Sequence, residues 1–109
     1  MIKKAHEVAN ITIESLDKKA REFTVNTAGP VIIKAAEEGR DSVYVDLLKN
    51  FNMTESERIG PIVAKILSNE FDYNAKFTTV STYQEESAYI TVKWGHAIWD
   101  VLQLIVNIM

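Results

Sequence analysis

The chain predicts an α+β domain: a small three-stranded antiparallel sheet with helices packed on it, in the order ααβαββ, followed by an apolar C-terminal helix. Three observations carry that expectation. Residues 2–23 repeat apolar side chains at helical spacing, residues 42–47 and 88–94 alternate at strand spacing, and residues 96–109 are apolar at most positions.

In the first segment Ile2, Ala5, Ala9, Ile13, Leu16, Ala20 and Phe23 recur every three or four residues, which keeps them on one face of a helix. The opposite face pairs Lys3 with Glu7, Glu14 with Lys18 and Asp17 with Arg21, each opposite in sign and four apart. The spacing also fits a coiled coil, but the alanines suit close packing on a sheet, so a core helix is expected. Thr24 to Gly29 interrupts the pattern. Pro30 then opens a short second helix through Val31, Ile32, Ala35 and Ala36, which Gly39 ends.

Ser42 to Leu47 sets Val43, Val45 and Leu47 against Tyr44 and Asp46, the pattern of a half-buried strand. Thr54 and Glu57 have the spacing of a capping box ahead of Ile59, Ile62, Val63, Ile66, Leu67 and Phe71. Gly60-Pro61 conflicts with one helix through this stretch, because proline lacks an amide and crowds the preceding turn. A separate helix starting at Pro61 is therefore expected. Lys76 to Tyr83 and Ala88 to Trp94 read as a hairpin turning at Gln84–Ser87, the first strand at a sheet edge.

With 109 residues, 47% hydrophobic and 25% charged, the chain is the size of one domain, 1–109, able to bury roughly two-thirds of its unfolded surface. The absence of cysteine removes disulfides, thiolate metal sites and cysteine catalysis. No apolar run of signal-peptide length follows Lys3 and Lys4, so a cytoplasmic setting is expected and the Asn10 and Asn52 glycosylation triplets read as chance. A net charge of −3 with scattered cations disfavours nucleic acid as the main partner.

No residue pattern carries catalysis. His6 and His96 lie at opposite ends of the chain, and His96 with Asp100 makes only two of the ligands that a transition metal needs. None of the serines sits in a Gly-x-Ser-x-Gly elbow, and the four glycines are too dispersed to cradle phosphate. The carboxylate pairs Glu37/Glu38 and Glu85/Glu86 fall in solvated positions, unlike the dissimilar buried sites that acid–base catalysis uses. The expectation is a non-enzyme without metal or cofactor.

Two surfaces remain as binding candidates. Tyr89, Thr91 and Lys93 should face away from Ile90, Val92 and Trp94, exposing an aromatic on the open side of the sheet. From Trp94 onward Asp100 is the one formal charge, and Val101, Leu104, Ile105 and Ile108 offer an apolar contact surface. Fourteen residues, about 21 Å as a helix, cannot span a bilayer. Residues 96–109 must bury against their own sheet, another copy or a partner.

The amphipathic first helix, the Ile33-Lys-Ala-Ala-Glu-Glu-Gly39 segment before the strand Ser42-Val-Tyr-Val45, and the ending Ile90-Thr-Val-Lys-Trp94 together resemble small phage- and prophage-encoded accessory proteins. The resemblance spans residues 2–95. It implies a phage-type accessory protein, in the host cytoplasm or the virion, and carries over no catalytic residue. The apolar tail beyond Gly95 departs from that pattern. The function expected is protein–protein binding, in the manner of an inhibitor of a host factor. The alternatives are a virion or self-assembling component that uses the tail, and a small nucleotide-binding protein or enzyme.

Overall fold

A computed structural model describes residues 2–108. Its elements are α1 (Ala5–Phe23), a π-helical segment (Thr24–Ala28), α2 (Gly29–Glu37), β1 (Ser42–Asp46), α3 (Met53–Phe71), β2 (Asn74–Ser81), β3 (Glu86–Lys93) and α4 (Gly95–Ile108). The α+β order expected from the sequence is the order observed.

The three strands form one antiparallel sheet in the order β1-β3-β2. Alternation puts Val45, Ala88, Ile90 and Val92 on one face, where they meet Ile59, Val63 and Leu67 of α3. Phe23, Ala28 and Ile32 complete that core from the helical run. The strands sit about two residues earlier than expected because the hairpin turns at Thr82–Glu85. There the Thr82 hydroxyl accepts from the Glu85 amide (3.0 Å), and the Thr82 amide donates to the Glu85 carbonyl (2.8 Å). β2 is an edge strand, as expected.

Three local expectations are corrected. First, the chain does not break at Thr24–Gly29; it widens into a π-helical turn and continues. Pro30 offers no amide and its ring presses on the turn before it, so the Gly29 amide instead reaches back five residues to the Thr24 carbonyl. The buried Thr24 hydroxyl donates to the Ala20 carbonyl at 2.7 Å.

Second, α3 is one helix with Pro61 inside it. Gly60, next to the proline, is a close-approach point: a Cβ there would collide with the Phe77 ring of β2. The glycine is present for packing, not to end the helix. Third, the helix is capped by Asn52, whose Oδ1 accepts from the Glu55 amide at 2.8 Å, and not by Thr54. At the far end Asp72 takes a left-handed conformation (φ 61°), and Gly39 does the same after α2 (φ 80°).

The expected packing of the first helix holds only for its C-terminal part. Residues 2–15 are exposed, Leu16 is half-buried, and full burial begins at Ala20. The molecule is accordingly elongated, 69 × 36 × 19 Å, with a radius of gyration of 17.2 Å. A compact chain of this length would have about 13 Å.

Candidate interaction surface

The base of α4 is anchored where several elements end. The Trp94 amide donates to the Asp41 carbonyl (2.9 Å), and the Trp94 ring meets Tyr73 edge-on at 6.2 Å. His96 Nε2 donates to the carbonyl of Asp72, the residue that caps α3 (2.9 Å). Beyond this base, α4 buries none of its residues. Trp99 is 68% exposed and Ile108 86% exposed.

The residues expected to make contact through the tail, Val101, Leu104, Ile105 and Ile108, all lie on this bare helix, together with Trp99, Leu102 and Val106. At 100° per residue the apolar side chains sweep an arc of about 220°, leaving Asp100, Gln103 and Asn107 as a narrow polar stripe. A helix lying on one surface needs an apolar stripe of roughly 100°. The arc calls for cover from more than one side.

Tyr89, Thr91 and Lys93 share the open face of the central strand β3, opposite Ile90 and Val92. Tyr89 is half-buried because it stacks edge-on against Tyr44 of β1, with ring centroids 5.3 Å apart. Tyr44 is the more exposed of the two at 70%. Thr91 and Lys93 join Ser42, Tyr44 and Ile98 around an open cleft of about 590 Å³ at the root of α4. The two groups of candidate residues thus meet at Ile98, with Tyr89 farther along the strand.

A third surface was not among the sequence candidates. The apolar stripe of α1 continues past the edge of its cover, leaving Ala5, Ala9 and Ile13 bare, with the exposed Ile2 just ahead of the helix. At its inner end Ile13, Pro61, Ile62 and Ile66 line a groove of about 440 Å³ between α1 and α3. Arg21 forms the polar wall. Its guanidinium donates to both carboxylate oxygens of Glu70 (3.0 Å each) and to Asp17 (3.0 Å). The Glu70 hydrogen bonds, then those to Asp17, hold the Arg21 pKa above its ordinary range, and the same Arg21 contact lowers that of Glu70.

The sequence signal for this third surface is the length of the stripe, which outruns any expected partner. Periodicity identifies an apolar face but not what covers it. Among the described residues no group of three or more His, Asp or Glu side chains is placed to hold a metal ion. No described helix is long and apolar enough to cross a membrane. No protein-family model matches the chain, and no significant match occurs among curated proteins or solved structures.

Proposed function

We propose that this protein works by association with another protein chain, and that α4 is the contact element. The observation behind this reading is the bare apolar arc of α4. Its eight large apolar residues between Ile98 and Ile108 expose on the order of 900 Å². The largest apolar patch on an ordinary monomer is about 300–600 Å². The resemblance of residues 2–95 to phage accessory proteins supplies the setting we propose, a phage-type factor acting in the host cytoplasm or the virion. Binding to a host protein is the form such a factor takes as an inhibitor. The second bare apolar surface, on α1, favours self-assembly as the alternative.

A photoreactive amino acid in place of Leu104 tests the association. Irradiation in expressing cells should give a covalent adduct with a protein chain. The same label at the exposed Lys76, on the edge strand β2, should give none. Absence of any Leu104 protein adduct would overturn the reading.

A further inference from the structure

We infer that the chain covering α4 is a second copy of this protein, and that α4 seats on the bare stripe of α1 and in the adjoining α1/α3 groove, joining copies head to tail. This rests on the proposal that α4 is a protein-contact element.

The two bare surfaces lie at opposite ends of the molecule. α4 leaves the body where α2, α3 and β3 all end, since Trp94 bonds Asp41 and His96 bonds Asp72. α1 begins at the other end of the run Ala5–Glu37, which is about 50 Å long at 1.5 Å per residue. Adding about 21 Å for α4 accounts for the 69 Å long dimension. Within one chain α4 therefore cannot reach the α1 stripe, but α4 of a neighbouring copy can.

The surfaces also match in size and charge. α4 carries large side chains, while the α1 stripe sets Ile13, and Ile2 just ahead of the helix, around the small Ala5 and Ala9, leaving room for them. In a head-to-tail overlap the two helices run parallel. Lys3 and Lys4, just ahead of α1, then come beside Asp100 near the base of α4, which itself has no Lys or Arg. The far end of α4 enters the groove of Ile13, Pro61, Ile62 and Ile66. Stripe and groove together cover the arc from two sides, which a single flat surface does not.

The area fits as well. On the order of 900 Å² from α4 equals the share of one partner in a standard interface, about 800 Å². Pairing of α4 with α4 about a two-fold axis would cover that helix but leave the α1 stripe bare. One heterologous contact covers both surfaces, and such a contact repeats into rings or filaments. Insertion of α4 in a bilayer surface fits less well, because interfacial helices carry Lys or Arg on their polar face and α4 carries Asp100.

Two variants decide between these arrangements: Leu104→Glu/Ile108→Glu on α4 and Ala9→Glu/Ile13→Glu on α1. All four positions are exposed in the single chain, and circular dichroism checks that each variant folds. Light scattering of the unaltered protein should show a mass rising beyond a dimer with concentration. Each variant alone should be a monomer, and an equimolar mixture should double that mass and stop. A wild-type monomer at every concentration would overturn the inference, as would an α1 variant that still self-associates without the α4 variant. The Leu104 photoadduct gives an independent readout, with attachment expected in residues 2–16 or 61–69 of a second copy. Attachment to a different protein, or sedimentation with neutral vesicles without self-association, would overturn the head-to-tail contact. A different-protein adduct would leave the protein-binding proposal standing, whereas no protein adduct removes both.

Discussion

The ring of Phe77 occupies the volume that a side chain at Gly60 would need. Gly60 lies inside α3, where alanine normally gains about 1 kcal/mol over glycine. Gly60 is fully buried, so the ring must move to admit a methyl group, and overpacking of this kind costs about 1–3 kcal/mol. Gly60→Ala should therefore lower the stability measured by urea unfolding, against the direction of helix propensity. Combining it with Phe77→Leu should recover part of the loss, since neighbouring substitutions couple.

Pro61 is exposed and interior to the same helix. Pro61→Ala restores an amide that can donate to the Glu57 carbonyl and removes the ring from the preceding turn. Interior prolines cost about 3 kcal/mol, partly offset by the roughly 0.4–1 kcal/mol that proline contributes by restricting the unfolded chain. The melting temperature should rise by several degrees. An unchanged or lower value would show that the helix is accommodated to the proline and gains nothing from the amide.

The cap of α3 separates two residues that lie close in sequence. Asn52→Ala removes the acceptor for the Glu55 amide and should cost about 1 kcal/mol. Thr54 is exposed and makes no capping bond, so Thr54→Ala should fall within about 0.5 kcal/mol of wild type. Chemical denaturation of the two variants side by side gives the comparison. Equal losses would favour the capping-box arrangement.

Acid sensitivity should depend on Glu70. Its pKa is lowered in the folded chain by the Arg21 hydrogen bonds, so its contribution is present above the ordinary value of 4.5 and disappears as pH falls through the lower folded value. Arg21 stays charged throughout. Thermal melts of Glu70→Gln should consequently lose less stability than wild type on acidification below about 4.5. Both side chains are about half exposed, so added salt should shrink the difference.

The fold class was legible because alternation in Ser42–Asp46 and Glu86–Lys93 needs only a period of two, and the stripe from Ile2 to Phe23 needs only 3.6. The candidate residues of α4 were legible for a simpler reason: a run with one charge has nowhere polar to hide. The failures share a cause. Gly60-Pro61 reads as punctuation until the Phe77 ring is known to sit there, and Asn52 and Thr54 are equally good caps by composition. Thr24–Gly29 reads as a break because a uniform α-helix would place the face of Ile32 and Ala35 roughly 100° away from the Ala20/Phe23 face. The π-helical turn absorbs that difference. The bare stripe of α1 was missed because its burial depends on how far α3 runs alongside it, a tertiary fact.

That turn makes the length of the segment Thr24–Ala28 a fixed quantity. Deleting Asn26 would remove the extra residue that the π-helical turn accommodates and draw the two flanking helices into one continuous register. It would also rotate everything upstream, swinging Phe23 off Phe51, which it now meets at 5.5 Å, and turning Arg21 away from Glu70. Substitution at the exposed Asn26 is cheap by comparison, because it changes a side chain and not a count. The exposed positions Val25 and Asn26 should thus tolerate many different residues, and the segment almost no change in its number, and an insertion–deletion scan would separate the two.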